Sequence, residues 1–300
     1  MGVTPVLDTR RGTSSATLHR LGIATLVANI VVVVTGGAVR LTGSGLGCPT
    51  WPRCTDESFV AHGALGAHGV IEFGNRLLTF ALAAIAVATW VAAMRSAPAR
   101  RSVQVLATGL ALGVPAQALL GGMTVLTDLN PWVVSGHLLL SLAMIGLSVL
   151  FLRRLTEGDR LPVPAVPAPI GWLVRGTFVA AWLVFYAGTV VTGSGPHAGD
   201  ADAPRTGLDP ASVSQMHADL VFLLVGLTIG CNLALRAARA PGGAVSAATW
   251  LLALEVVQGA VGLVQYATNL PVVLVGLHLM GAALISACAA WLLVSVRLRT

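Results

Sequence analysis

Residues 21–45 read LGIATLVANIVVVVTGGAVRLTGSG. From Leu21 to Leu41 the only charged side chain is Arg40. A helix needs about 20 apolar residues to cross a bilayer, and this run supplies them before it ends in Thr42-Gly-Ser-Gly45. Seven further runs of similar character follow, over roughly 64–94, 103–126, 132–152, 171–193, 213–235, 244–266 and 271–296. Membrane-spanning strands would be short and alternating, whereas these runs are long and continuous. The first run is longer than the core of a signal peptide and no small-residue cleavage site follows it, so it counts as the first helix. Across the 300 residues, 55% are hydrophobic and 10% charged, and mean hydropathy is +0.82. These values exclude an ordinary soluble domain. The expected fold is all-α and integral to the membrane, with eight transmembrane helices.

The Thr-Gly-Ser-Gly ending recurs. Gly37-Ala-Val-Arg-Leu-Thr42-Gly-Ser-Gly45 is matched by Gly188-Thr-Val-Val-Thr192-Gly-Ser-Gly195 at an offset near 150. Helix three runs through Gly122 to Pro131 and His137, and helix seven through Gly262 to Pro271 and His278. The Gly-to-Pro spacing is nine in both, and the Pro-to-His spacing is six and then seven, a one-residue slip. A repeat of four helices keeps its orientation in the membrane. The expected arrangement is therefore two tandem four-helix bundles related by a pseudo-two-fold axis along the membrane normal. The halves are 1–152 and 171–300. Between them, 153–170 carries Leu161-Pro-Val-Pro-Ala-Val-Pro-Ala-Pro169 and reads as a stiff cytoplasmic linker.

All 18 basic residues are arginine. Arg10, Arg11, Arg20, Arg95, Arg100, Arg101, Arg153, Arg154, Arg160, Arg236, Arg239, Arg297 and Arg299 flank the helices on one side. Arg40, Arg53, Arg76 and Arg205 fall on the other, and Arg175 lies within helix five. The positive-inside rule then places both termini in the cytoplasm of a multi-pass cell-membrane protein. The isoelectric point near 10.1 follows from that topology, and no nucleic-acid partner is expected. Cys231 and Cys288 lie within helices. Cys48 and Cys54 bracket a short, proline-stiffened outer loop, Cys48-Pro-Thr-Trp-Pro-Arg-Cys54, in a compartment that permits disulfides. A disulfide is expected there. Trp51, Trp132 and Trp172 sit at levels where interfacial aromatic belts form.

Six of the seven histidines, all but His19, fall on or near the outer side. One histidine near a helix end is ordinarily an interfacial residue. Here the residue recurs at one depth on even-numbered helices of both halves: His137 on helix four, His217 on helix six and His278 on helix eight. Facing histidines in a four-helix bundle can hold a haem iron from both sides, and ionisable groups at membrane depth are usually functional. His217 with His278 is the better pair, and His137 is the corresponding ligand candidate in the first half.

Helix two reads His68-Gly-Val-Ile-Glu72-Phe-Gly-Asn75-Arg76. Positions 68, 72, 75 and 76 share one helix face. Two readings of Glu72 and Arg76 stand open: a functional face, or an anion favoured near a helix N-terminus with a salt-bridged neighbour. Asn75 aligns with His217. Asp219 reads as a partner of His217 or as a solvated residue, and Glu255 as a neutral group or a partner of Gln258.

This pattern resembles the haem A synthase family. The resemblance rests on the duplicated plan, on Arg40-Leu-Thr-Gly-Ser-Gly-Leu-Gly-Cys-Pro-Thr-Trp-Pro-Arg-Cys54, on the Glu72–Arg76 face, and on His137, His217 and His278. It implies oxidation of the C8 methyl of haem O to a formyl group by two successive oxidations. It implies haem b on His217 and His278 of the second half, haem O as substrate in the first half, and Glu72 as the catalytic carboxylate. Cys48 and Cys54 match the family's outer-loop pair. The implied partners are membrane lipid, a haem O-supplying farnesyltransferase and an electron-transfer protein. Many members carry Glu-x-x-His-Arg where this chain has Glu72-Phe-Gly-Asn75-Arg76. Either His137 alone holds the substrate haem, or His68 substitutes from nearly two turns earlier. Arg76 or Arg40 would pair with haem propionates. A dihaem b-type electron-transfer cytochrome is the main rival, and a repeat-built transporter the second.

Overall fold

The computed structural model describes residues 14–299; Arg10 and Arg11 lie outside the described residues. Eight helices follow in order: α1 (Ser15–Leu41), α2 (Gly66–Met94), α3 (Arg101–Leu126), α4 (Pro131–Thr156), α5 (Ala168–Ser194), α6 (Pro210–Ala237), α7 (Gly242–Ala267) and α8 (Val272–Ser295). All eight are long and apolar enough to cross a membrane. The chain is an all-α, multi-pass membrane protein.

The helix starts follow from local chemistry. Ser14, Asn130 and Asp209 turn a side-chain oxygen onto the free N–H groups of α1, α4 and α6, which have no partner within their own helix. Pro131 and Pro210 occupy the first turn, where a missing N–H costs nothing. Both α3 and α7 end in two consecutive left-handed residues, Asp128-Leu129 and Asn269-Leu270, with φ between 49° and 59°. Duplication thus extends to the backbone of the turns.

Helix packing has the symmetry of the repeat. In the first half α1 packs on α2 and α4, and α3 on α2 and α4; in the second, α5 packs on α6 and α8, and α7 on α6 and α8. Between the halves α4 meets α8, α1 meets α8 and α4 meets α5, a pattern that survives exchange of the halves. Small residues let α4 and α8 approach, as expected where lipid is the alternative neighbour. A methyl group on Gly146 would lie 3.6 Å from Ala290 Cβ, and buried Ser286 donates to the Leu142 carbonyl at 2.8 Å.

The proline-rich linker is shorter than expected and is stitched down. Helix α4 runs on to Thr156. Val163–Pro164 (β1) then pairs antiparallel with Arg297–Leu298 (β2) beyond α8. The arginine within helix five is also accounted for: the Arg175 guanidinium lies over the Trp172 ring at 4.7 Å, a cation–π contact at the linker end of the bundle.

Candidate functional site

Three of the histidines singled out in the sequence share one local geometry. Each ring lies against a glycine on a neighbouring helix of its own half. A methyl group on Gly121 of α3 would sit 3.1 Å from His137 Cε1, one on Gly188 of α5 would sit 3.2 Å from His217 Cε1, and one on Gly262 of α7 would sit 3.4 Å from His278 Cε1. In each case the absence of a Cβ lets the ring lie close to the neighbouring backbone. The Nδ1 atoms of all three rings are buried without a hydrogen-bond partner. A buried imidazole nitrogen left unpaired is costly; two of the three, His137 and His278, stand at equivalent positions of the repeat, and His217 stands at that of Asn75.

The first-half glycine is Gly121 and not the Gly122 picked out by proline spacing. Gly121 and His137 match Gly262 and His278 at one offset of 141, as do Gln117 and Gln258. The one-residue slip before the histidines therefore disappears. The prolines merely occupy adjacent positions, Pro131 within α4 and Pro271 just ahead of α8, and each histidine is the seventh residue of its helix. Gly122 has another neighbour: the Trp51 ring covers it so closely that a Cβ there would overlap the indole. Trp51 therefore anchors the Cys48–Cys54 loop to α3, a packing role that belt placement did not anticipate.

A fourth position completes the set. Gly36 of α1 faces Asn75 of α2, whose Nδ2 would lie 3.9 Å from a methyl group added at Gly36. Asn75 Oδ1 accepts from Thr35 Oγ1 at 2.8 Å. Four glycine-backed positions thus hold three histidines and one asparagine. His68 stands elsewhere. Its Nδ1 is bonded to Ser44 Oγ at 2.9 Å, the residue is exposed, and seven residues of helix place it about 10 Å from Asn75 toward the start of α2.

His217 and His278 face one another with ring centroids 6.4 Å apart and planes at 74°. Two metal–imidazole bonds of about 2 Å each, plus the half-width of each ring, account for that separation. Two imidazoles facing one another across a gap of this size, each backed by a glycine, fit a haem iron held from both sides.

Glu72 is 6% exposed and both its oxygens are occupied. Oε1 accepts from Arg76 Nη2 at 2.6 Å and Nε at 3.2 Å; Oε2 accepts from the Cys48 backbone N–H at 2.5 Å. Arg76 also donates to the backbone carbonyls of Cys48, Thr50 and Arg53. The carboxylate and guanidinium together grip the loop that the Cys48–Cys54 disulfide closes. Gly47 lies flat on the backbone of His68, with no room for a side chain. Arg40 reaches across the halves, donating to the carbonyls of His197 at 2.6 Å and Thr192 at 3.0 Å.

Two other acids find different neighbours. Asp219 is exposed and accepts from Gln215 at 2.7 Å. Glu255, 2% exposed, accepts from Thr228 Oγ1 at 2.9 Å, while Gln258 turns to Gly281 of α8. Sequence reasoning missed the glycine backing and the Gln117–Gln258 equivalence. The repeat offset of 141 was the signal that could have found both.

The fold and these positions define a duplicated eight-helix membrane protein with imidazoles built into both halves. Residues 19–68 and 66–204 match the COX15-CtaA family, described as cytochrome oxidase assembly protein, and the chain belongs to that family. The match ends before His217 and His278, so for those two residues the geometry is the evidence. The chain is 28% identical to a protein named Heme A synthase of Bacillus pumilus over 184 residues, 58% of each chain. It is 31% identical to another of that name from Geobacillus thermodenitrificans over 148 residues, 47% of this chain and 44% of the relative. One from Shewanella oneidensis is 28% identical over 145 residues, 43% of each. The alignments cover less than two thirds of the length of these relatives.

Proposed function

We propose that the protein oxidises the C8 methyl of haem O to a formyl group, giving haem A. The observation that carries the reading is the unequal filling of two pairs of glycine-backed positions: two facing histidines in the second half, one histidine and Asn75 in the first. A symmetric electron carrier would want four histidines. Family membership and three relatives named Heme A synthase support the same reading.

In this proposal residues 171–300 hold haem b on His217 and His278, residues 1–152 receive haem O on His137, and 153–170 joins the halves. When bound by His217 and His278, haem b would supply one-electron transfer. The first half supplies the rest. At each of two oxidations a C–H bond of the methyl carbon is replaced by a C–O bond to water oxygen, two protons are released and two electrons leave to the electron-transfer partner, giving first the alcohol and then the gem-diol; loss of water leaves the aldehyde. Positive charge develops at that carbon, and Glu72 is the carboxyl group one turn from Asn75 toward the start of α2. Both of its oxygens already accept hydrogen bonds, one from a backbone N–H and one from a guanidinium, which fixes it in place and suits it to electrostatic stabilisation better than to taking a proton. The Arg76 guanidinium is committed to the loop, so we read it as a clamp on the outer lid; Arg40 holds the two halves together. The arginine distribution supports cytoplasmic termini, with the site toward the outer side of the cell membrane. A farnesyltransferase that makes haem O and an electron-transfer partner complete the proposal.

Pigment extraction tests it. Full-length protein from cells that also make haem O should yield haem b together with haem O, its alcohol or haem A. His217→Ala should remove haem b, and His137→Ala should remove the farnesylated haem. Haem b alone, lost in both variants, would favour a dihaem cytochrome instead.

A further inference from the structure

The four glycine-backed positions differ in what they offer a metal. Three present imidazole nitrogens. The fourth presents the carboxamide of Asn75, whose nitrogen lone pair is delocalised and whose NH2 group only donates. Asn75 Oδ1 meets the Thr35 hydroxyl at 2.8 Å, which shares its one proton with the Val31 carbonyl at 3.0 Å, so the free end of the amide is Nδ2, the atom nearest Gly36. His68 does not restore an imidazole at this level: it lies about 10 Å toward the start of α2, with Nδ1 bonded to Ser44.

We infer that a haem bound on His137 keeps its other axial position open, and that Asn75 Nδ2 is the donor meeting a small diatomic ligand there. The inference rests on the proposal that the first half receives haem. Hydrogen-bond donors beside an open iron position decide whether and how a diatomic ligand is held. The second half differs, because His217 and His278 fill both positions. The chain thus divides the work: one saturated site that passes electrons, and one site open to a ligand with an amide above it. Thr35 is the positioning residue that fixes the orientation of the amide.

Carbon monoxide added to the dithionite-reduced full-length protein is the probe. In wild type, one of two haems should be five-coordinate and high-spin by resonance Raman and should bind CO, and His137→Ala should abolish the CO-binding fraction. Asn75→His should turn that haem low-spin and weaken apparent CO affinity more than about tenfold, because the competing imidazole must first leave. Asn75→Leu should still bind CO, with a raised C–O stretching frequency and faster release, since the donor is gone. Thr35→Val should move the C–O stretch in the same direction by less. A first-half haem that is six-coordinate and inert to CO in wild type overturns the inference and leaves the substrate proposal standing. So does a low-spin haem that becomes CO-reactive only in His68→Ala. Absence of any haem sensitive to His137→Ala overturns the substrate proposal itself, and the inference with it.

Discussion

The backbone N–H of Cys48 donates to Glu72 Oε2 at 2.5 Å, so the carboxylate proposed to act on the substrate also anchors the disulfide loop. With Arg76 on the other oxygen and on three loop carbonyls, one ion pair holds the lid of the first bundle. A second-half counterpart is built differently: there Arg205 donates to the Gly195 carbonyl at 2.9 Å, and Ser194 meets Thr206.

Glu72→Gln should separate the two roles of this carboxylate. The amide keeps the shape and one acceptor, but leaves Arg76 without its counter-ion. Breaking a buried pair costs about 3–5 kcal/mol; Arg76 is 20% exposed, so a loss of about 1–3 kcal/mol is expected here. Arg76→Ala should loosen the loop at least as much while leaving the anion. If Glu72 stabilises charge in the reaction, Glu72→Gln stalls at haem O or the alcohol, and Arg76→Ala retains more haem A. Proteolysis of residues 48–60 reports the loop, and extracted pigments report the chemistry. Equal product ratios in the two variants would reduce Glu72 to a clamp.

Gly188→Ala tests the ring cradle. The new methyl lies 3.2 Å from His217 Cε1, tighter than ordinary van der Waals contact, so the ring must move. Overpacking of this kind costs about 1–3 kcal/mol. The optical spectrum and midpoint potential of the haem proposed for the second half should shift, because His217, proposed to hold it, tilts. Gly226→Ala, where nothing lies within 4 Å of the added carbon, is the control and should leave both unchanged. An identical shift in the two variants would remove the cradle as its cause.

Removing the disulfide should weaken the lid without dismantling it. The Cys48–Cys54 bond spans six positions, and closing so short a loop stabilises by about 2 kcal/mol through chain entropy. The contact to Glu72 uses the Cys48 amide and not its sulfur, so the double variant Cys48→Ser/Cys54→Ser retains it. Expected is faster cleavage within the loop and a modest fall in thermal midpoint, with haem b content preserved. Loss of haem b would mean that the loop supports the second half as well, which its contacts do not suggest.

The helices were legible because each run is longer than the membrane is thick, and the duplication because Thr-Gly-Ser-Gly survives in both halves. The histidines were legible through their common depth. Three features were not. Proline spacing misled the choice between Gly121 and Gly122, because a proline can sit just before a helix or within its first turn without changing the path of the chain. The grip of Glu72 on Cys48 is carried by a backbone N–H, which has no residue-specific mark. The linker shows the same limit: Val163–Pro164 pair with Arg297–Leu298 through main-chain atoms, across a separation that no local pattern encodes.

That linker is also where acid should act first. Asp159 accepts from Ser102 Oγ and from Arg100 Nη2, the latter at 3.1 Å. The Ser102 hydrogen bond, with Arg100 beside it, holds the Asp159 carboxyl below the usual carboxylate range. A depressed folded-state pKa means that the stabilisation is complete above the unfolded value, about 3.9, and is lost as pH falls through the folded one. At neutral pH the linker should therefore be docked, and below about pH 4 it should begin to release from α3. The side chain is 41% exposed, so the effect stays local. Hydrogen exchange of residues 157–167 in lipid nanodiscs, followed from pH 7 to pH 3 and corrected for intrinsic rates, should show protection falling at the acid end. Asp159→Asn should start less protected at neutral pH and change less on acidification. An Asp159→Asn profile that overlays wild type across the whole range would show that β1–β2 pairing alone fixes the linker.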